Sequence, residues 1–222
     1  MARRRAASSA ERLIESAHAA VDQWPLWGRQ DADAYEIRRR LAGSIICDPE
    51  LLGFGLQRMM PPALRGDFQD LEAWRHGVYE VLDLALTGSA GPVIVPMTLV
   101  EPMYFRETFG RLRQQGHDVR HFALLAERDT TLRRLRQRGL GHAVQLIGGQ
   151  RAALRVESFA VSRLDLCLER LQEPEFAEPV WTDHLTIAQV ADHIAGSAGL
   201  SLTPNRDSNV RGRLRGAWIG AR

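Results

Sequence analysis

The sequence predicts an α/β protein in which helices cover both faces of a doubly wound, mostly parallel sheet, giving three layers. Short apolar, β-branched runs alternate with amphipathic helices along most of the chain, which is the pattern of successive βαβ units. One of these runs, residues 93–95, is apolar at every position, as in a strand buried on both faces. A chain of 222 residues is long enough for one such domain and short for two.

The part of the chain before residue 41 predicts no strand. Residues 1–20 have the apolar spacing of a helix, and Pro25 and Gly28 then interrupt the pattern. A basic helix follows over residues 34–41. A five-stranded sheet of the predicted class needs a central strand in this region, and the sequence as written does not supply one.

From residue 44 onward, strands and helices alternate with clear boundaries. Gly43, Gly116 and Gly199 are predicted to end helices, and Thr186 is predicted to cap one. Trp74, on the longest amphipathic helix, is interpreted as a core anchor. The predicted strands are 44–47, 93–95, 119–126 and 180–183, and the predicted helices are 51–60, 68–86, 102–115, 129–138, 150–171 and 187–198.

The composition excludes several classes of protein. All 29 basic residues are arginine, and the net charge of +2 gives no case for nucleic-acid binding. The longest clearly apolar stretch, residues 92–100, is too short to cross a membrane. Cys47 and Cys167 lack metal-ligand spacing and fit reduced thiols of a cytoplasmic protein. The arginines of the C-terminal tail, with Trp218, permit at most a weak association with a membrane surface.

Five runs of sequence carry a family resemblance: DPELLGFGLQRMMPP, GPVIVPMTLVEPMYF, GRLRQQGHDVRHFALLA, TLRRLRQR and TDHLTIAQVADHIA. In this order they resemble the tunicamycin-resistance proteins, a family of P-loop NTPases with a nucleoside-kinase-like fold. The run IVPMTLVEPMYF is specific to that family. The resemblance implies binding of ATP or GTP, with ATP and Mg²⁺ as the expected cofactors, and resistance to a nucleoside antibiotic. The resemblance covers residues 35–204, which we expect to form a kinase-like P-loop NTPase domain. Before it lies an N-terminal segment (1–34) that we regard as aberrant because it does not match the family, and after it lies a basic tail (205–222).

The motif that defines P-loop NTPases is missing. Their Walker A loop, G-x-x-x-x-G-K-[ST], cradles phosphates with backbone N–H groups, and its lysine reaches the β- and γ-phosphates. Residues 21–41 read VDQWPLWGRQDADAYEIRRRL, and the chain contains no lysine. For the chain as written we therefore expect little affinity for ATP and poor packing of residues 1–34.

The codons of this stretch admit the missing motif in another reading frame. Because tryptophan has the single codon TGG, a shift of one base gives glycine codons at both Trp24 and Trp27. The shifted codon after Gln30 encodes only Lys or Arg, and the one after Asp31 encodes only Thr or Met. Residues 24–32 therefore admit G-P-F-G-x-G-K-T.

We hypothesise that the absence of the loop results from a frameshift. Residues 20–24 admit L-W-I-N-G in the shifted frame, an apolar strand leading into the loop. A base lost or misread near residues 33–34, with an upstream start that is out of frame, explains both features. The alternative is that any GC-rich segment yields glycines when shifted, but the order of strand, glycines, lysine and threonine favours the frameshift.

Asp48 and Glu50 are candidate ligand-binding residues, because ligands of open α/β sheets bind beyond the carboxyl ends of strands. We interpret Asp48 as a catalytic residue, acting as a general base for phosphoryl transfer, and Glu50 as a substrate-binding residue for a sugar or nucleoside hydroxyl. The alternative is that Asp48 caps the next helix. Arg58, on that helix, is a candidate contact for an anionic or uracil-like group, and an exposed arginine is the equal alternative.

Thr98 follows the strand 93–95 and is the second candidate catalytic residue. Its hydroxyl is suited to bind a phosphate or a metal-bound water. Many P-loop proteins place an acid at this point to hold Mg²⁺, but no acid precedes Glu101. This absence favours binding over catalysis slightly, and no metal-binding residues are predicted.

Three further residues are assigned to the nucleotide. Arg134 and Arg138 are four residues apart on one predicted helix and share a face. We assign Arg134 to cofactor binding and Arg138 to catalysis, because guanidinium groups bind phosphate oxygens in pairs. Residues 139–149 have the composition of a mobile lid or of an ordinary loop. By the resemblance, Asp183 approaches the base or ribose of the cofactor, with a helix-cap network as the alternative.

Three functions remain open at this point. The first is a kinase-like enzyme that uses ATP to modify a nucleoside antibiotic, or a protein that sequesters it. The second is a protein that binds nucleoside and nucleotide without phosphoryl transfer. The third is a defective product that binds no nucleotide as written.

Overall fold

The computed structural model describes residues 12–18, 29–131, 169–173 and 178–205. Within these ranges, five strands form one sheet in the order β2-β3-β1-β4-β5, and every neighbouring pair is parallel. A mixed α/β architecture with a parallel sheet is therefore confirmed. The strands are β1 (Arg12–His18), β2 (Ile45–Ile46), β3 (Val93–Pro96), β4 (Asp118–Leu125) and β5 (Glu178–Trp181).

The central strand corrects the sequence-based interpretation of the N-terminal part. β1 lies between β3 and β4, where Ile14 is in register with Ile94 on one side and Arg120 on the other. The prediction that no strand precedes residue 41 is wrong, as is the helical interpretation of residues 12–18. Two neighbouring strands satisfy the backbone hydrogen-bonding groups of β1, and this tertiary context overrides the helical spacing of its apolar residues.

The helices connect and follow these strands. The predicted domain boundary after residue 34 falls inside the first helix, Arg29–Arg40, where Ala34 is fully buried. The helices are α1 (Arg29–Arg40), α2 (Pro49–Met59), α3 (Glu72–Gly88), α4 (Pro102–Phe105), α5 (Arg111–Gln114) and α6 (Ile187–Ser197), with 3-10 turns at Pro62–Leu64 and Phe68–Asp70 and a π-helical turn at Arg106–Gly110 joining α4 to α5.

Two hydrophobic clusters cover opposite faces of the sheet. In β3, Val93 and Val95 pack in one cluster with α3, α4 and α5, whereas Ile94 packs in the other with α1 and α6. Successive side chains of a strand point to opposite faces, so the two clusters lie on opposite sides of the sheet. Trp74 is fully buried in the first cluster, as predicted.

The predicted helix ends are confirmed. Gly43, Gly116 and Gly199 have φ angles of 79°, 94° and 69°, a conformation that side-chain-bearing residues adopt only at a cost. Thr186 accepts a hydrogen bond from the backbone N–H of Gln189, whose side chain in turn accepts from the Thr186 N–H. Among the described residues, no helix combines the length and apolar character that crossing a membrane requires.

Candidate functional site

The connections of the sheet diverge beside β1 and β3. All strands are parallel, so their carboxyl ends meet at one edge. The connection that leaves β1, through α1, lies on one face, and the connection that leaves β3, through α4 and α5, lies on the other. In open α/β sheets, ligands bind beyond the carboxyl ends of neighbouring strands whose connections diverge in this way, and we call this position the crevice.

Asp48 lies at this edge and is already used by the fold. It follows β2, caps α2 and accepts a hydrogen bond from the Glu50 N–H at Oδ1, 2.9 Å away. The helix-cap alternative is therefore correct. Burial raises the pKa of the Asp48 carboxyl, and the bond from Glu50 partly offsets that rise. The other oxygen, Oδ2, accepts no hydrogen bond from the described residues, so a ligand hydroxyl has an acceptor here.

Thr98 follows the end of a neighbouring strand. It lies two residues beyond β3, which neighbours β2 in the sheet. Neighbouring strands are about 4.8 Å apart, so the two residues follow adjacent strand ends. The side-chain amide of Gln69 donates to the Thr98 carbonyl oxygen at 2.7 Å. Gln69 is a residue that sequence reasoning missed.

The 3-10 turn Phe68–Asp70 holds Gln69 in position. Asp67 caps the turn, accepting from the Gln69 N–H at 2.9 Å. Phe68 is buried, with its ring centroid 5.3 Å from that of Trp74. The indole N–H of Trp74 donates to the carbonyl oxygen of Pro49 at 3.0 Å, which connects this packing to the start of α2.

Arg75 lies behind the turn and is the second residue that sequence reasoning missed. Its side chain is 10% exposed and its Nε donates to Glu107 at 2.5 Å. Its Nη1 donates to the carbonyl oxygen of Gln69 at 2.7 Å. The sequence does contain a pattern that could have revealed Arg75. It is a charged residue inside the apolar stripe of a helix, between Leu71 and Val78.

Tyr104 completes this polar group from the other side. Its ring centroid is 4.4 Å from the Arg75 guanidinium carbon, and its hydroxyl donates to Asp70 at 2.8 Å. The hydrogen bond to Asp70, followed by desolvation, raises the pKa of Tyr104, so the hydroxyl stays protonated and donates. We refer to Gln69, Asp70, Arg75, Tyr104 and Glu107 as the Arg75 cluster.

The two predicted substrate-binding residues differ in position. Glu50 is the second residue of α2 and is half-buried beside Asp48. Arg58 is exposed in the last turn of the same helix, about 15 Å along the axis from Asp48 at 1.5 Å per residue. The structure therefore brings Glu50 to the crevice edge and places Arg58 away from Asp48.

Asp183 follows the edge strand β5, at the opposite end of the strand order from β2. β5 is three strands from β3, so about 15 Å separates the two strands. Both carboxylate oxygens of Asp183 accept from the N–H of Glu127, at 3.1 and 3.2 Å. The buried hydroxyl of Thr182 donates to the carbonyl oxygen of Leu125 at 2.9 Å. These bonds are the capping network named as the alternative for Asp183.

Several predicted features lie outside the described residues. They are Arg134 and Arg138, the glycine-bearing segment 139–149, and the stretch 19–28 between β1 and α1. In the part of the chain that the structure describes, no three His, Cys, Asp or Glu side chains are grouped so that they could hold a metal ion.

Comparisons with known proteins find solved structures that are similar to this chain. No family model matches it, and no curated protein does. The structure of the Deinococcus radiodurans tunicamycin resistance protein is similar, with 26% sequence identity and a TM-score of 0.66. The match covers 87% of this chain and 99% of that chain. The resemblance to tunicamycin-resistance proteins that the sequence motifs predict is confirmed.

Proposed function

We propose that this chain is a tunicamycin-resistance-like protein that binds a nucleoside-type antibiotic in the crevice beside β1 and β3 and sequesters it. The observation that carries the proposal is the pair Asp48 and Thr98, which follow adjacent strand ends at the edge where ligands of parallel sheets bind. The similarity to a tunicamycin resistance protein over nearly the whole of that chain supports the choice of ligand.

The chemistry of the crevice suits the hydroxyl groups of a nucleoside. The open Oδ2 of Asp48 is an acceptor for a sugar hydroxyl, and Glu50 adds a second carboxylate beside it. Partial burial strengthens such a hydrogen bond, because less water competes for the carboxylate. A raised pKa also brings Asp48 closer to the range of a general base that takes a proton from a hydroxyl.

The finer fold assignment is part of the same proposal. A central first strand, helices on both faces and a divergence of connections beside that strand support a three-layer P-loop NTPase fold of the nucleoside-kinase type. In such a fold the phosphates lie at the segment after β1. Here that segment is residues 19–28, which read AAVDQWPLWG.

The residues present do not fit ATP. The segment after β1 has neither the glycine spacing nor the lysine of a phosphate-binding loop, and the chain has no lysine elsewhere. We expect little ATP affinity for the chain as written. An isotherm with a dissociation constant in the micromolar range, about −8 kcal/mol, would contradict that expectation.

The frameshift hypothesis accounts for the missing loop and is tested at the level of the gene. The chain as written fills the central strand with Arg12–His18, whereas the shifted frame supplies an apolar strand from the codons of residues 20–24. Resequencing the codons of residues 20–35 is expected to reveal one additional base. An unbroken frame without it contradicts the hypothesis.

Phosphoryl transfer to the nucleoside is the second candidate function. The position of Asp48 favours it, because a carboxylate with a raised pKa near a substrate hydroxyl suits a general base. The lack of an acid between β3 and Glu101 favours sequestration instead.

Mass spectrometry separates the two functions. The purified chain is incubated with tunicamycin, ATP and Mg²⁺. The masses of the native complex and of the released drug are then measured. Sequestration predicts a complex that releases unmodified drug. A drug with one added phosphate supports transfer and overturns sequestration, and the absence of any complex overturns both.

A further inference from the structure

The loop between β3 and α4, residues 97–101, is held from two directions. Met97 and Leu99, within the loop, are buried in the core, and the Gln69 side chain donates to the Thr98 carbonyl oxygen. The carbonyl oxygen of Gln69 in turn accepts from Arg75. A single guanidinium group is therefore connected to the end of β3 through one intervening residue.

The same guanidinium also secures the far end of the loop. Tyr104 and Glu107 lie just beyond it, on α4 and the π-helical turn, and both contact Arg75. Tyr104 additionally donates to Asp70 in the 3-10 turn. The Arg75 cluster thus joins the turn before α3 to the helix after β3, with the loop of Thr98 between them.

Placing a charge at this position has a cost that the cluster offsets. Arg75 is largely excluded from water, and an unpaired guanidinium would be strongly destabilising there. The Glu107 carboxylate, the Gln69 carbonyl oxygen and the Tyr104 ring provide a charged, a polar and an aromatic partner. These three contacts constrain the surrounding backbone from three elements.

We propose that Arg75 is a positioning residue, which acts through Gln69 to fix the backbone at Thr98 and thereby sets the affinity of the crevice for its nucleoside ligand. The part that concerns affinity rests on the proposed function. The part that concerns the loop backbone does not. Arg75 makes no contact with Asp48 in the described part of the chain, so its effect on binding is indirect.

Amide hydrogen exchange tests the structural part without a ligand. In Arg75→Met, exchange in residues 97–101 is expected to rise about tenfold, as it should in Gln69→Ala, because each change breaks the same connection. Tyr104→Phe, which removes one hydroxyl, should give a smaller rise and is available if Arg75→Met does not fold. Unchanged exchange at 97–101 in these variants overturns the proposal.

Arg111 provides a matched control. Its guanidinium carbon lies 3.8 Å from the centroid of the Tyr79 ring, and it contacts His76 instead of the turn before α3. Arg111→Met removes a comparable stacked arginine and should leave exchange at 97–101 and ligand affinity unchanged. Equal effects of Arg75→Met and Arg111→Met would show general loosening and overturn a specific role for Arg75.

A double-mutant cycle tests the part that concerns binding, with tunicamycin as the probe. Arg75→Met and Gln69→Ala should each weaken binding by about tenfold, and the double variant should be little worse than either, because both act along one connection. Additive losses overturn the role through Gln69. If the unaltered chain does not bind tunicamycin, the proposed function and the affinity role fail together, and hydrogen exchange still decides whether Arg75 fixes the loop.

Discussion

Asp48 serves the fold and the proposed site with different atoms, so substitution can separate the two roles. Oδ1 caps α2, and Oδ2 faces no donor among the described residues. Asn caps helices about as well as Asp, whereas Ala does not. A change that keeps the cap but removes the charge therefore isolates the function from the fold.

Asp48→Asn is expected to leave the free energy of unfolding within about 0.5 kcal/mol of the original value, whereas Asp48→Ala should lower it by about 1 kcal/mol. Both should weaken tunicamycin binding by about tenfold, because both remove a charged acceptor. Urea denaturation and calorimetric titration measure the two quantities. If Asp48→Asn binds tunicamycin with full affinity, the Asp48 carboxylate does not contact the ligand.

His121 makes the stability depend on pH in a defined window. It is buried on β4, with its ring centroid 4.9 Å from that of Phe105. Burial, and then the charge of Arg113, lower its pKa from 6.5 to about 3. Above pH 6.5 the histidine is neutral in both the folded and unfolded states. Below it the unfolded state takes up the proton first, so stability falls as the pH drops from 6.5 toward 3.

His121→Leu should remove this dependence. The slope attributable to His121 is at most about 1.4 kcal/mol per pH unit, and it should disappear from urea denaturation curves recorded between pH 6.5 and 4. His193→Leu, at an exposed position on α6, is the control and should keep the original slope. Parallel pH profiles of the original chain and His121→Leu would contradict the account.

At the scale of elements, the contact between α2 and the 3-10 turn Phe68–Asp70 requires a glycine at position 53. A Cβ atom on Gly53 would lie 2.5 to 2.7 Å from ring atoms of Phe68. Phe68 packs on Trp74 and immediately precedes Gln69, so the turn that reaches Thr98 is placed by this close approach. Gly55, on the same helix, has no atom within 4 Å of such a Cβ.

Gly53→Ala and Gly55→Ala should therefore have opposite effects. The first should lower the free energy of unfolding by about 1–3 kcal/mol, because the Phe68 ring must shift within a packed cluster. The second should raise it by up to about 1 kcal/mol, the gain in helix propensity from Gly to Ala. Urea denaturation measures both, and destabilisation of equal size in the two variants would contradict the packing described.

The elements also show what local patterns could predict. Among the described residues from 44 onward, the strands, the helices and the three glycine stops were predictable, because periodicity and backbone conformation are local properties. The predicted helices 129–138 and 150–171 lie mostly outside the described residues. β1 was not, because its partners are β3 and β4, which come much later in the chain. Its apolar residues fit a helix on spacing alone, and only the neighbouring strands make it the centre of the sheet.

For the whole molecule, the distinction between local patterns and long-range contacts separates the predicted candidate residues from the missed ones. Asp48, Glu50 and Thr98 follow strands, and the rule that ligands bind at carboxyl ends was enough to select them as candidates. Gln69 and Arg75 reach the site across a tertiary contact that no local pattern reveals. Asp183 also follows a strand, but the strand order places it on the far side of the sheet.

The similarity over 99% of the Deinococcus radiodurans chain and the strand-end positions of Asp48 and Thr98 support the central proposal, that the chain binds a nucleoside antibiotic. Calorimetric titration of the full chain with tunicamycin, in the absence of ATP, tests it most directly. We expect saturable binding of one molecule per chain, weakened about tenfold in Asp48→Asn and unchanged in Glu80→Gln, an exposed carboxylate on α3. The absence of saturable binding, or equal binding by the two variants, would contradict it.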